Sequence, residues 1–492
     1  MGSPDKGGPT RHLSWSPLTG GAQTLATPSV LIIGSIWPQE QASAACSRTI
    51  SLIQACQDAG YQVACSADER ETEATTRLRA RGVTCTRMAP NDSAFDAYLA
   101  GLQPQVVIFD RFTTEEKFAW RVREVCPDSL RVLDTIDLHF LRLARMQAHQ
   151  VNAAAFTAPM PWSELLLLAG DTALREVAAI YRSDLSLVTS DAELRLLVEE
   201  AGVRAELLQL CRLTYPPKVT QRTFAERQDY ACIGNFRHPP NVDAVMWLKD
   251  AIWPLIRQMH PGGELHIWGA HAKSSHLAWS NPAQGFHVHG YADSPAIALA
   301  GCRVNLAPLR FGAGIKGKIA DGWWWGAPAV STWVGAEGMH AKMPFGGIIA
   351  DTATELAKAA VRLYHEQPLW EAAAAAGSDL MTQLYLDAVT TQPFLSRLQR
   401  LLGSQPNSRC PNLTGQILWQ QSMRSTEYFS RWIELKRQHG QPSANYATNG
   451  PDKEVPDVHH AAKVPASGLV AAAPVANQCP AVSHQIRASQ KE

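Results

Sequence analysis

The chain has 492 residues, of which 46% are apolar, and its 45 lysines and arginines balance 45 aspartates and glutamates. This length is typical of two or three globular domains, and the zero net charge gives no sign of a nucleic-acid partner. No apolar run approaches the roughly 20 residues of a membrane-spanning helix, and the ten cysteines form no Cys-x-x-Cys pair. We therefore expect a cytoplasmic protein without a membrane span.

Short apolar runs alternate with amphipathic stretches through the first part of the chain, after a leader (1–27) that we expect to be disordered. Strands are predicted at 29–38, 61–67, 105–110, 130–137 and 184–190. Helices are predicted at 47–60, 114–126 and 191–202. This alternation predicts a parallel sheet covered on both faces, which we assign to an N-terminal domain over 28–212.

The same alternation begins again after a proline-containing loop. Strands are predicted at 230–236, 264–270, 286–291, 303–309, 328–334 and 346–351, with an amphipathic helix at 241–258. We predict a second doubly wound domain over 228–403, then a helical segment over 412–440 and a disordered tail over 441–492. The predicted fold class is therefore α/β, with two consecutive Rossmann-like domains.

One stretch, APLRFGAGIKGKIADGWWWGAPAV (307–330), follows a predicted strand and leads into a helix predicted from Ile315 to Trp325. We call its turn the glycine loop, and it contains Gly312, Gly314, Lys316, Gly317 and Lys318. Free N–H groups, the positive end of the helix dipole and two lysines suit a diphosphate. The spacing excludes a P-loop. A tight turn with surface lysines explains the same residues equally well.

Three motifs occur in a family's order: IGNFRHPPNVDAVMWL (233–248), the glycine-loop stretch and VGAEGM (334–339). Together they resemble the donor-nucleotide domain of family 4 glycosyltransferases, which are retaining enzymes with the GT-B fold. The resemblance covers 228–400 well and 29–210 more weakly. It implies two Rossmann-like domains facing across a cleft. It also implies sugar transfer from a nucleotide diphosphate sugar to an acceptor, with retention and without a metal or cofactor.

The resemblance also implies donor-binding residues. In the family, the loop after the first strand of the C-terminal domain lies near the donor, which corresponds here to Gly234, Asn235 and Arg237. Basic side chains often bind the diphosphate, and the matching candidates are Arg237, Lys316 and Lys318. The family's Glu-x7-Glu element has Asp321 at its second, ribose-binding position. Its first glutamate, which contacts the donor sugar, is Ala313 here, so that role passes to the backbone of Ala313, Gly314 and Ile315.

On the N-terminal side, family members often carry a His-Asp pair at a strand end. The matching stretch DTIDLH (134–139) has Ile136 at the histidine position and keeps Asp137. His139 either substitutes for that histidine or is an ordinary loop residue. We expect Gly34 and Ser35 to line the acceptor side and Glu337 to edge the donor pocket. The predicted catalytic residues are Arg237, Lys318, Asp137 and His139.

We interpret the remaining clusters of acidic and histidine residues as structural rather than as metal-binding or catalytic. We find no Asp-x-Asp metal pair, and His287 and His289 share a strand face without well-placed further ligands. Glu115 and Glu116 fit a solvated first turn of a helix better than an acid–base role. Two alternatives to a transferase remain: a nucleotide-sugar epimerase of the same fold, or a catalytically silent binding or scaffold protein, which the Ala313 departure favours.

Overall fold

The computed structural model describes residues 28–39, 44–152, 160–217, 222–404 and 412–438. These residues belong to one compact unit that contains two parallel sheets. Among them, no helix is both long enough and apolar enough to cross a membrane. The predicted leader (1–27) and tail (441–492) lie outside the described residues.

The first sheet has seven parallel strands in the order β3-β2-β1-β4-β5-β6-β7. The strands are β1 Ser29–Gly34, β2 Gln62–Ala67, β3 Thr84–Arg87, β4 Val106–Asp110, β5 Leu130–Asp134, β6 Leu185–Val188 and β7 Leu208–Leu210. The helices are α1 Ala44–Asp58, α2 Glu73–Ala80, α3 Ala94–Leu102, α4 Phe112–Val125, α5 His139–Val151, α6 Trp162–Ala169, α7 Asp171–Arg182 and α8 Asp191–Arg195. The chain reverses its direction of winding between β1 and β4, which makes their carboxyl ends a topological switch point.

The second sheet has six parallel strands in the order β10-β9-β8-β11-β12-β13. The strands are β8 Gln228–Ile233, β9 Leu265–Trp268, β10 Phe286–Gly290, β11 Cys302–Ala307, β12 Ala329–Ser331 and β13 Gly347–Ile349. The helices are α9 Pro239–Trp247, α10 Trp253–Met259, α11 Ser274–Leu277, α12 Pro295–Leu299, α13 Gly317–Trp324, α14 Trp333–Ala336, α15 Ala353–His365 and α16 Gln367–Leu380. Here the switch point lies between β8 and β11.

Two final helices, α17 (Asp387–Ser404) and α18 (Leu413–Gln438), pack against the first sheet's half of the molecule. Phe394 and Leu398 of α17 lie in the same apolar core as side chains of β1 and β4. Trp419 of α18 packs in the core on the opposite face of that sheet. Helix α17, which belongs to the C-terminal domain predicted over 228–403, thus packs on the N-terminal half, and the domain bounds stay a prediction.

The helix predicted from Ile315 to Trp325 is observed as α13, which begins at Gly317 and ends at Trp324. The predicted helix over 241–258 is present as α9 and α10, joined by a wider helical turn at Leu248–Ile252. Pro254, at the start of α10, has no N–H to donate to the preceding turn, which favours such an irregularity. The α/β class with two doubly wound sheets is confirmed.

Candidate functional site

Two of the three sequence motifs of the predicted donor domain lie at the switch point of the second sheet. Gly234 directly follows β8, and the glycine loop directly follows β11, the neighbouring strand. In the first sheet, Gly34 and Asp110 end β1 and β4 at the corresponding point. Open α/β sheets bind their ligands in the crevice at such points. The candidate site therefore involves the carboxyl ends of both sheets.

The glycine loop contacts the N-terminal half directly at Gly314. This residue has a φ of 64°, a left-handed conformation that glycine adopts without strain. A Cβ at this position would also lie only 2.7 Å from the Cβ of Asp137. Glycine is therefore required at position 314 both by the backbone conformation and by the close approach of the segment that follows β5.

Glu193, at the start of α8, joins the two halves at this contact. Its Oε1 accepts hydrogen bonds from the N–H groups of Gly314, at 2.8 Å, and Leu138, at 2.9 Å. Its Oε2 accepts from the hydroxyls of Thr189 and Ser190, each at 3.2 Å. Burial raises the pKa of Glu193 to about 6. The Gly314 amide, predicted to bind the donor, is thus bonded to a carboxylate of the protein in this structure.

The side chain of Lys316 is directed back into the glycine loop. Its Nζ donates a hydrogen bond of 2.7 Å to the carbonyl oxygen of Gly314, and its side chain is buried inside the loop. Its backbone N–H points at the sulfur of Met339, at 3.2 Å. Burial lowers the pKa of Lys316 to about 8. This geometry indicates a role for Lys316 in holding the loop, and its binding of the diphosphate stays a prediction.

Glu337, predicted to edge the donor pocket, is bonded to the N-terminal half, and its role at the pocket stays a prediction. It forms a two-point ion pair with Arg145 of α5, at 2.6 and 2.8 Å. Arg145 additionally donates to the carbonyl oxygen of Gly312, at 2.9 Å. Burial alone would raise the pKa of Glu337, but Arg145 outweighs it and the pKa falls below its usual value. Glu337 and Arg145 therefore connect the two halves of the molecule.

Lys318, Gly234 and Asn235 lie close together, and their binding of the donor stays a prediction. The Nζ of Lys318, in the first turn of α13, donates to Oδ1 of Asn241 at 2.6 Å. Asn241 in turn donates to the carbonyl oxygen of Asn235, at 2.8 Å. A Cβ at Gly234 would lie 2.9 Å from that Nζ, so glycine leaves room for the ammonium group. A cation beside a helix N-terminus suits a diphosphate.

The remaining predicted donor residues lie at the two ends of this region. Asp321, on α13, accepts a hydrogen bond of 2.6 Å from the hydroxyl of Tyr215, which belongs to the segment between the sheets. Burial raises the pKa of Asp321 to about 6. Arg237 has an exposed side chain, and its backbone N–H donates to Oδ1 of Asn235 at 2.8 Å. Ribose binding by Asp321 and diphosphate binding by Arg237 stay predictions.

Asp137 and His139 form a charged group on the N-terminal side. Oδ2 of Asp137 accepts from Nε of Arg142 at 2.7 Å, and its Oδ1 lies 3.5 Å from Nε2 of His139. Burial would raise the pKa of Asp137, but Arg142 and His139 overcome it and hold the pKa well below its usual range. Across the crevice, His238 is near enough to Asp137 to interact electrostatically. Asp137 is thus a stably ionised carboxylate.

A small cavity of about 30 Å³ lies on the predicted acceptor side. Gly34, Thr49, Ser66 and Asp110 contribute to its walls, and the buried hydroxyl of Ser66 has no hydrogen-bond partner. Ser35 is half-buried beside it. Gly34, a predicted acceptor residue, therefore lines a mainly apolar recess at the first sheet's switch point.

Residues 227–366 match a family model described as "Glycosyl transferases group 1". This part of the chain is similar to glycosyl transferases group 1. Among solved structures, HepE from Anabaena in complex with UDP is 12% identical, with 76% of this chain and 100% of that chain covered and a TM-score of 0.55. Sucrose-phosphate synthase from Thermosynechococcus elongatus is 14% identical, with the same coverages and a TM-score of 0.58. These likenesses show the GT-B fold, and no curated protein matches the chain.

The half of the molecule built on the second sheet carries a histidine stack away from the glycine loop. The rings of His266, His287 and His289 are parallel, and Nδ1 of His266 lies 2.9 Å from Nε2 of His289. Nevertheless, the described residues contain no group of three or more potential ligands arranged to hold a metal. Glu115, expected to be solvated, is instead buried in an ion pair with Arg182.

Sequence reasoning missed Arg145, Glu193 and Tyr215, which join the second half of the molecule to the segments before it. It also missed Arg142, which bonds Asp137, and Asn241, which bonds Lys318. One signal was present in the sequence, because Arg142, Arg145 and His149 share a helical face directly after DTIDLH. His149 lies 3.6 Å from Asp243 of α9, so Arg145 and His149 of this face both contact the second half.

Proposed function

We propose that the protein is a glycosyltransferase that transfers a sugar from a nucleotide diphosphate sugar to an acceptor, with retention and without a metal. The observation that carries this proposal is the position of Lys318 beside Gly234, at the first turn of α13 and the switch point of the second sheet, in the part of the chain that is similar to glycosyl transferases group 1. Solved structures of HepE, which shares the fold, contain UDP and UDP-glucose. A UDP-sugar is therefore the first donor to test.

In the proposed reaction, the donor diphosphate lies beside Lys318 and Arg237, at the amino end of α13. These groups offset the charge that builds on the leaving diphosphate, and each contributes about 3 kcal/mol to the lowering of the barrier. The leaving phosphate deprotonates an acceptor that approaches on the same face of the sugar. The acceptor lies near Asp137, His139 and Gly34, where the ionised Asp137 fixes Arg142 and His139.

A thermal-shift screen against UDP-, GDP- and ADP-sugars tests the proposal. A ligand that binds only the native state adds about 2.7 kcal/mol to the free energy of unfolding at a concentration of 100 Kd. The melting temperature rises as a result. We expect the nucleotide sugars of one base to raise the melting temperature. The sugar of that donor should then be slowly hydrolysed or transferred. Absence of any shift would contradict the proposal. Binding without donor turnover would favour the silent scaffold, and sugar interconversion without acceptor would favour an epimerase.

Replacing Asp321 with alanine is expected to weaken nucleotide binding roughly tenfold or more. A hydrogen bond to a charged group contributes about 1.5–3 kcal/mol, and the ribose hydroxyls are its proposed donors. Isothermal titration calorimetry with the nucleoside diphosphate measures the change. Tyr215→Phe is the control, because it removes only the hydroxyl that bonds Asp321 and should leave nucleotide affinity at or above the wild-type value. Equal affinity in Asp321→Ala and wild type would refute the ribose role.

A further inference from the structure

The contact between Glu193 and Gly314 lies where the proposed donor must enter. The two halves meet there with no space for a ligand, since a single added Cβ at Gly314 would come within 2.7 Å of Asp137. Glu193 is 1% exposed, and its Oε1 bonds the Gly314 N–H at 2.8 Å. A donor that reaches the glycine loop must therefore separate these two groups. The Gly314 N–H then needs a new acceptor, whereas Oε1 of Glu193 keeps the Leu138 N–H and can accept one further hydrogen bond in place of the one it loses.

The chemistry of the two groups restricts what replaces their bond. The Gly314 N–H requires an acceptor, whereas the carboxylate of Glu193 requires a donor. A buried group left without its partner costs about 1–3 kcal/mol, so a ligand that satisfies both is favoured. A phosphate oxygen accepts but has no proton to donate near neutral pH, and the negative carboxylate repels it. A hydroxyl group does both, because it donates one hydrogen bond and accepts others.

The neighbouring residues agree with a hydroxyl at this point. Ala313 supplies no carboxylate within the loop, and the Nζ of Lys316 is directed at the carbonyl oxygen of Gly314 rather than into the crevice. The cation suited to a diphosphate, Lys318, instead lies beside Gly234 in the first turn of α13. Sugar and diphosphate thus have separate places along the loop.

We propose that Glu193 and the Gly314 N–H together bind one hydroxyl of the donor sugar, so that a carboxylate from the N-terminal half replaces the one absent at Ala313. This inference rests on the proposed function. It makes Glu193 a specificity-determining residue that acts on the sugar and not on the nucleotide. The other oxygen of Glu193 stays fixed by Thr189 and Ser190, which keeps the carboxylate oriented when the halves separate.

Calorimetry with UDP and UDP-glucose tests this assignment, or with the matching pair for whichever base the thermal-shift screen selects. We expect Glu193→Gln to lose about tenfold in affinity for the nucleotide sugar while its affinity for the nucleoside diphosphate is unchanged. Glu176→Gln is the matched control. Glu176 is also a buried carboxylate that accepts two main-chain N–H groups, those of His139 and Phe140, and it does not contact the glycine loop. The control should retain both affinities.

A ligand-side measurement covers the case in which Glu193→Gln fails to fold. Wild-type protein is titrated with deoxy analogues of the sugar nucleotide, and one analogue alone should bind about tenfold more weakly. Equal losses for nucleotide and nucleotide sugar in Glu193→Gln, or no sensitive hydroxyl in wild type, would overturn the inference and leave the nucleotide site intact. If no nucleotide or nucleotide sugar binds wild type, the proposed function fails and the inference fails with it.

Discussion

Replacing Lys318 with alanine is expected to reduce kcat/KM by about 100-fold or more. Its ammonium group is held by the neutral amide oxygen of Asn241, at 2.6 Å, a partner that a phosphate oxygen can replace. Removing one preorganised donor from a developing negative charge costs about 3 kcal/mol, and each 1.4 kcal/mol corresponds to a factor of ten in rate. Steady-state kinetics with the donor identified by thermal shift measures the loss.

Three companion variants make this result interpretable. Lys318→Met keeps the aliphatic stem near Gly234 and should match the alanine variant if the charge is responsible. Lys318→Arg keeps the charge and should recover part of the activity. Lys358→Ala removes an exposed lysine from α15 and should change nothing. An unchanged kcat/KM in Lys318→Ala, with a wild-type melting temperature, would remove this lysine from the mechanism.

The sequence predicted the parts of the fold that depend on local pattern. Runs such as SVLIIG and QVVIFD are continuously apolar because both faces of a parallel strand are buried, and they became β1 and β4. The association of Gly234 with Lys318 was also predictable, since both follow neighbouring strands of one sheet and carboxyl ends of parallel strands meet at one edge. The resemblance placed both residues near the donor before the structure showed them in contact.

The unpredicted features depend on interactions between distant residues or on weak local signals. Strand β3 has four residues, TCTR, and β7 has three, so neither carries a clear apolar run. The bond from Gly314 to Glu193 joins residues 121 positions apart, and the Arg145–Glu337 pair joins residues 192 positions apart. No spacing rule links such residues. Glu115 was predicted to be solvated because acidic residues suit the first turn of a helix. Its ion-pair partner, Arg182, is 67 positions away, and no local pattern links the two residues.

Arg48→Met is expected to destabilise the protein by about 3–5 kcal/mol, the range for breaking a buried ion pair by removing one partner. Nε of Arg48 donates to both oxygens of Asp134 at 2.8 Å, and the two side chains are 2% and 3% exposed. Arg48 also donates to the carbonyl oxygen of Cys211, at 2.6 Å. It thereby joins α1, the end of β5 and the segment after β7. Urea unfolding followed by tryptophan fluorescence measures the change.

The paired substitution separates the charge from the shape of the side chain. In Arg48→Met with Asp134→Leu, no buried carboxylate is left without a partner, so at least part of the lost stability should return. Arg362→Met is the exposed control, because Arg362 pairs with Glu366 on the surface of α15 and such pairs contribute less than about 1 kcal/mol. If the double variant were as unstable as Arg48→Met alone, the loss would come from the Cys211 carbonyl and packing. Asp134 ends β5, and Asp137 follows three residues later. The double variant therefore also tests whether this ion pair positions the predicted acceptor side. We expect restored stability with low turnover.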